Sequence, residues 1–460
     1  MLQRFVNRER ELKILKERLK SNSFEFLVIY GRRRVGKTAL ILESVKNREY
    51  IYYLATEKKN LEKFKEICAQ KIKNFEDLKN DWEAYFRNLK NKIIIIDEFP
   101  NLIKESSNVL SELQRIVDLT LAPTKTKIIL CGSRISMMES KVLSYQSPLY
   151  GRRTSQLKLK PMNFYQTRGF FPKLSLEKLV QIYGFSDGIP FYLEKVRTPF
   201  WKWLGQDLNK EDSFIRTEVD FLLKYEFQDV STYKEILEAI AFGNTKINEI
   251  KNYTKLKATD ISPYIKNLIL TDFVEKRISI FERPKSRKAR YYLKDNFLRF
   301  WFRFIYPNLS LIEERVFNVD KIKREYNQYL GLIFEKAVRD FLILRSRKIL
   351  DFEITNIGKY WGKRDDLPKG RNEFEIDLIA AGEDVKKVAF FEIKWKEFKK
   401  EEDLIRAIQN LKTLSKFFPR QNEERKKRWG IFAKRIPDKI KEKLRRHKYL
   451  IYDLEDMRTL

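Results

Sequence analysis

Three groups of residues in this sequence have the types and spacing to do chemistry. The stretch 31-GRRRVGKT-38 fits G-x-x-x-x-G-K-[ST], with an apolar run ending at Gly31 and a helical pattern opening at Lys37. Gly31 and Gly36 let the backbone turn so that its N–H groups face a phosphate, and the helix start adds partial positive charge. Lys37 can reach the β and γ phosphates of ATP, the Thr38 hydroxyl can ligate Mg2+, and Arg32, Arg33, Arg34 and Val35 complete the nucleotide-binding loop. The second group is Asp97 and Glu98, at the end of the apolar run in KIIIIDEFP. Consecutive isoleucines suit a strand buried on both faces of a parallel sheet, whose carboxyl end is where ligands bind. Asp97 is then placed to hold the Mg2+ shell, and Glu98 to orient or deprotonate the attacking water. In isolation such a pair could be two solvated acids; the phosphate loop upstream argues otherwise.

The third group lies in 373-EFEIDLIAAGEDVKKVAFFEIKWK-396, where apolar residues alternate with charges on both sides of a Gly-Glu-Asp turn. A turn centred between Asp384 and Val385 places Asp377 opposite Glu392, with Lys394 on the same face. Carboxylates facing each other across a hairpin repel. A divalent cation between them, with a lysine beside it, would remove that cost and create a hydrolytic centre. An amphipathic hairpin with solvated charges is the other reading of the same pattern.

The elements that must position these groups follow from the rest of the chain, which at 460 residues is long enough for about three domains. Further apolar runs at YIYYLAT (50–56) and TKIILCGS (126–133) alternate with helical patterns and read as an α/β parallel sheet. Ser133 ends the strand that follows the Asp-Glu strand; its hydroxyl is placed to contact the γ-phosphate or water, or to cap a helix. Cys68 and Cys131 stand far from any C-x-x-C spacing and His447 is the only histidine, which argues against a disulfide framework, a zinc ribbon and histidine-based catalysis. Hydrolysis must rest on carboxylates, lysine, arginine and oxygen-ligated metal. No apolar run approaches the ~20 residues of a membrane span and the N-terminal stretch has no signal-peptide core, so a cytoplasmic protein without a membrane partner is expected. The 95 Lys and Arg against 64 Asp and Glu leave a formal charge of +31, which points to a polyanionic partner such as DNA.

In order along the chain, FVNRERELKIL, GRRRVGKTAL, IIIIDEFP, IILCGSRISMM, SPLYGRRTSQLKLKPM and GIPFYLEKV resemble the archaeal ATPase family, related to AAA+ and to signal-transduction NTPases. The resemblance spans at least the first 200 residues and implies a P-loop ATPase core over 1–162 and a helical lid over 163–230, with ATP and Mg2+ as cofactors. It implies that Arg8, Glu9 and Pro190 lie near the adenine. It also places Arg152 and Arg153 where relatives carry an arginine that senses the γ-phosphate, in the same subunit or from a neighbour in a homo-oligomer. Positive charge there would stabilise phosphoryl transfer.

Downstream, YKEILEAIAFG, KINEIKNYTKL and KATDISPYIKNLILTDFVEK form helical patterns followed by a basic two-stranded pattern, ISIFERPKSRKARYYLK. This resembles a winged helix over 231–295, with Ala258 to Leu270 as recognition helix and 278–293 as wing. Lys255, Lys257, Lys266, Arg283, Lys285, Arg287, Lys288 and Arg290 could track DNA phosphates, or the same element could hold protein parts together. An aromatic connector over 296–325 leads to residues 326–460, where D-x14-E-I-K resembles the PD-(D/E)XK nuclease superfamily. That superfamily adds an acid from a preceding helix, a position matched by Glu335. By this resemblance Glu335, Asp377 and Glu392 bind Mg2+ and Lys394 activates water or steadies the leaving phosphate. Ile376 departs from the pattern, since a proline precedes the acid in the family.

The fold class expected is α/β: a P-loop NTPase parallel sheet with helical lid, then a winged helix and a C-terminal restriction-endonuclease-like α/β domain. The expected function is ATP binding and hydrolysis coupled to action on DNA, with a Mg2+-dependent nuclease domain. The alternatives are a nucleotide-switch regulator whose nuclease-like domain is inactive, and a replication-initiator-like loader; the carboxylate hairpin argues against the loader.

Overall fold

A computed structural model describes residues 5–254, 256, 260–283, 286, 288–368, 370–383, 386–418 and 426–459. The chain divides into two compact units, the first made of residues 1–162, 189–191 and 262–273. Its sheet contains β1 (Glu25–Tyr30), β2 (Ile51–Leu54), β3 (Ile93–Asp97), β4 (Lys127–Gly132) and β5 (Ser155–Lys158), in the order β2-β3-β4-β1-β5 with every neighbouring pair parallel. β1, β3 and β4 are buried at every position. The unbroken apolar runs explain this, because alternate side chains enter two different cores. Val28, Ile94, Ile96 and Leu130 pack with Phe64, Tyr85 and Leu113 on one face. Leu27, Ile29, Ile95 and Ile129 pack on the other with Leu15 of α1 (Glu9–Lys20) and with Leu40 and Ile41 of α2 (Lys37–Val45). Each such side chain contributes about 1.5–3 kcal/mol through burial. The sheet thereby holds the ends of β1 and β3 side by side with β4.

The second unit comprises residues 163–188, 192–261 and 274–460. It opens its strands with an antiparallel pair, β6 (Val274–Arg277) and β7 (Arg290–Leu293). A five-stranded mixed sheet follows: β8 (Asn356–Lys363), β9 (Glu373–Ala381), β10 (Lys387–Glu397), β11 (Lys426–Arg435) and β12 (Leu450–Asp453), in the order β12-β11-β10-β9-β8. β8, β9 and β10 run antiparallel, whereas β10, β11 and β12 run parallel. The helix Asp320–Ile349 lies on this sheet, with Phe334 edge-on to Trp395 and Phe341 edge-on to Phe432.

The basic hairpin differs from a DNA-facing wing. The Ile280 N–H donates to the Lys359 carbonyl at 2.8 Å, the Trp361 N–H donates to Ser279 Oγ at 3.1 Å, and Ile280 enters the core of the C-terminal sheet. Arg290 donates to Glu375 at 2.7 Å and lies over the Trp361 ring, while Lys288 faces Glu282. The segment therefore covers the free edge of β8, whose N–H and C=O groups would otherwise be open to another chain. Carboxylates distant in sequence occupy Arg290, which leaves Arg283 and Lys288 as the exposed described cations of the wing. Lys255, Lys257, Lys285, Arg287, Ala258 and Thr259 lie outside the described residues.

The recognition helix also changes. It runs Ser262–Leu270 and belongs to the first unit, with Ile265 and Leu268 buried and Lys266 exposed. The residues after it explain the allegiance: Asp272 pairs with Lys158 at 3.3 Å, and Phe273 lies 4.8 Å under the Arg32 guanidinium. Among the described residues no helix is long and apolar enough to cross a membrane.

Candidate nucleotide site and C-terminal carboxylate cluster

Gly31 leaves β1 at a φ of 150°, and a Cβ there would stand 2.3 Å from the Leu159 carbonyl oxygen, so a side chain has no room. Gly36, at a φ of 88°, closes the loop into α2. Between them Val35 is buried and Arg34 adopts a φ of 72°, with its guanidinium 3.7 Å over the Phe191 ring. Pro190 adjoins Gly36, its Cγ 3.6 Å from where a Cβ would be, and Arg33 is half-buried beside the loop. Arg8 braces this loop from behind: its guanidinium donates to the Val35 carbonyl at 3.2 Å and the Lys160 carbonyl at 2.6 Å, and pairs with Glu11. Arg8 thus bonds to backbone carbonyls and Glu11, while Glu9 is exposed in the first turn of α1. Lys37 donates to the Gly31 and Arg32 carbonyls at 3.0 and 2.9 Å. Burial holds its ammonium below the usual lysine range, with Glu98 and Asp97 opposing.

The acids at the end of β3 are held from several sides. Asp97 Oδ2 accepts from Thr38 Oγ1 at 2.6 Å and from Tyr52 Oη at 3.0 Å, and Oδ1 accepts from the Glu98 N–H at 2.9 Å. Burial and the Asp97 charge push the Tyr52 phenol well up, so it stays a donor. Glu98 sits at a φ of 52°, a conformation that costs of order 1–3 kcal/mol for a residue with a side chain. Its Oε1 accepts from Ser133 Oγ at 2.7 Å. Ser133 is therefore bonded to Glu98 rather than capping a helix. Thr38 and Asp97 together offer hard oxygen donors, a set that suits Mg2+. Arg152 makes a forked contact to Asp118, at 2.6 and 2.8 Å, and Arg153 donates to the Leu143 carbonyl at 3.2 Å and lies over the Tyr150 ring. Both arginines are engaged by their own chain.

In the C-terminal sheet the β9–β10 pairing runs as far as Phe391↔Leu378, the residues next to Glu392 and Asp377. Lys394 Nζ lies 2.8 Å from Glu392 Oε1 and 3.6 Å from Asp377 Oδ2, and the Ile393 N–H donates to Asp377 at 2.8 Å. Burial and the Asp377 charge raise the Glu392 pKa. Burial works to lower that of Lys394, but Asp377 and Glu392 outweigh it and hold the ammonium charged. Glu335 comes from the helix Asp320–Ile349, and its pKa is raised by burial, with Asp377 adding to the rise. Its carboxylate is taken by Lys359 of β8, which lies 2.7 Å from Glu335 and 2.8 Å from Glu375. Among the described residues no group of three or more His, Cys, Asp and Glu is arranged to hold a metal ion. Glu335, Asp377 and Glu392 form no such group among the described residues, and the Glu335 carboxylate is paired with Lys359. Spacing gave no warning of Lys359, which sits where the β8–β9 register shifts between Gly358 and Tyr360.

Residues 5–196 match a family described as an ATPase domain predominantly from Archaea, and residues 301–405 match one described as Archaea bacterial proteins of unknown function. An uncharacterized protein of Methanocaldococcus jannaschii is 53% identical over 453 residues, covering 98% of this chain and 99% of the relative. The chain belongs to this family of archaeal P-loop ATPases. As a P-loop ATPase it binds and hydrolyses ATP. An uncharacterized ATP-binding protein of M. jannaschii is 44% identical over 45 residues, 10% of this chain and 76% of that one. The Walker-type ATPase of Pyrococcus abyssi is 23% identical, with a TM-score of 0.50 covering 65% of this chain and 96% of that structure, a likeness of fold.

Proposed function

We propose that this archaeal ATPase is an ATP-driven switch that acts on DNA, with Mg2+ as the partner ion of the nucleotide and the C-terminal sheet as the part that meets the phosphodiester backbone. The observation that carries the DNA reading is the single face on which Lys394 lies 2.8 Å from Glu392 and 3.6 Å from Asp377. In the nucleotide site Lys37 exchanges its loop carbonyls for the β and γ phosphates. Thr38 and Asp97 would hold Mg2+, which when bound neutralises phosphate charge. Glu98 orients or deprotonates the attacking water once Ser133 releases its carboxylate. Arg152 reaches a γ-phosphate only by giving up Asp118, in its own subunit or in a neighbour's site.

A second reading, a regulator that grips DNA without cutting it, is favoured by the Lys359–Glu335 pair, which leaves the acid face short of a third carboxylate. Supercoiled plasmid incubated with the protein and Mg2+ or Mn2+, with and without ATP, separates the two. Nicking by wild type that disappears in Asp377→Asn and Lys394→Ala supports a nuclease. ATP-dependent gel retardation without nicking supports the gripping switch, and neither nicking nor retardation removes DNA from the proposal.

A further inference from the structure

Each of the two acids at the end of β3 is held by a strand that flanks β3. Ser133, just beyond β4, holds Glu98, and Tyr52 of β2 holds Asp97. Tyr52 belongs to neither nucleotide motif. It pairs in register with Ile95, two residues before Asp97, and its phenol runs along the sheet to reach the carboxylate. Its ring packs against the core shared with α1 and α2, so the hydroxyl is delivered on a well-supported side chain.

The Asp97 carboxylate accepts from the Glu98 N–H on one oxygen and from Thr38 and Tyr52 on the other. A carboxylate free to rotate presents a cation with a spread of lone-pair directions, whereas one held by outer donors presents one, and such donors set metal affinity. The Thr38 hydroxyl is itself a candidate ligand. The phenol of Tyr52 is not, and so acts on Asp97 from outside.

We propose that Tyr52 is a positioning residue for the ATPase reaction: its phenol fixes the Asp97 carboxylate and thereby sets the affinity of the nucleotide-bound site for its divalent cation. The inference rests on the ATP and Mg2+ reading above. Tyr52→Phe keeps the ring and its packing and removes the hydroxyl alone. The full-length protein is loaded with ADP and titrated with Mn2+, with bound ion read by electron paramagnetic resonance, beside Ser133→Ala as comparison.

Tyr52→Phe should bind Mn2+ roughly tenfold more weakly, with unchanged ADP affinity in EDTA. Its ATP turnover should need correspondingly more Mg2+ and approach the wild-type kcat at saturation. Ser133→Ala should leave Mn2+ affinity unchanged, because its hydroxyl bonds Glu98 and not Asp97. Equal Mn2+ affinity in Tyr52→Phe and wild type overturns the inference. So does an equal fall of ADP affinity in EDTA, which would make the tyrosine a support of the loop as a whole. Failure of the wild type to bind Mn2+ with ADP removes the ATP and Mg2+ reading instead, which keeps the two failures apart.

Discussion

The nucleotide site and the C-terminal cluster both bring acids and lysine together, yet they are built in opposite ways. In the first, backbone conformation does most of the positioning: Gly31, Arg34, Gly36 and Glu98 all adopt positive φ, and Lys37 donates to loop carbonyls. In the second, side chains neutralise one another, Lys394 against Glu392 and Asp377, Lys359 against Glu335 and Glu375. A lysine held by carbonyls keeps its charge available to a phosphate. One held by carboxylates has its charge already matched. A motif that brings acids and lysine together thus reports where charges meet, and the pairing decides how much charge remains for a ligand.

The largest test of this contrast is at the nucleotide site. Lys37→Ala should abolish tight ATP binding, measured by titration of a fluorescent nucleotide, since the ground-state phosphates lose their ammonium. Glu98→Gln should keep that affinity and lose roughly a hundredfold or more in turnover, because a base acts only during reaction. Equal turnover in Glu98→Gln and wild type would move the base elsewhere.

The next effect tests whether the C-terminal charges are self-neutralised. Lys359→Met strands the buried Glu335 without its cation and should cost about 3–5 kcal/mol, seen as a lowered thermal midpoint. The pH dependence has a definite sign. A carboxyl whose folded pKa is raised contributes stability that is fully present below its unfolded pKa and lost as pH rises through the folded value. Burial already raises Glu335, and removing Lys359 raises it further. The deficit should therefore be greatest above neutral pH and shrink on acidification, and Lys359→Met with Glu335→Gln should melt above the single variant. A pH-independent deficit would mean that lost packing, not stranded charge, is responsible.

The smallest effect concerns the basic hairpin. Arg290→Gln removes a half-buried ion pair to Glu375 and should cost about 1–2 kcal/mol of stability while leaving the salt dependence of DNA binding unchanged in an anisotropy titration. A flatter salt slope in the variant would return Arg290 to the phosphates.

What could be read from the sequence was local or periodic. The loop from Gly31 to Thr38 needs only neighbouring residues to fix its turns, and strict alternation was enough to bring Asp377 and Glu392 to the same lysine, Lys394. The rest depended on partners from far along the chain. Tyr52 and Lys359 arrive from adjacent strands, and a strand pattern says which face a residue takes but not which carboxylate it will find. The hairpin cations looked ready for DNA because Glu375, the partner of Arg290, lies on β9. The helix Ser262–Leu270 looked like part of the middle segment because Lys158 and Arg32, which hold the residues just after it, belong to strands and loops made far earlier.

The first unit is discontinuous, since it takes 189–191 and 262–273 from beyond its own sheet. During synthesis the chain emerges at roughly 5–20 residues per second. All five strands of the first sheet exist before Phe191, the ring beneath Arg34, is made, and long before Phe273, the ring beneath Arg32. The nascent sheet can thus collapse while two arginines of its phosphate loop still await their aromatic partners, so competence for nucleotide should trail the appearance of the sheet on the ribosome. Closing so long a connection costs only slightly more than closing one half its length, which makes the lag a matter of timing and not of equilibrium.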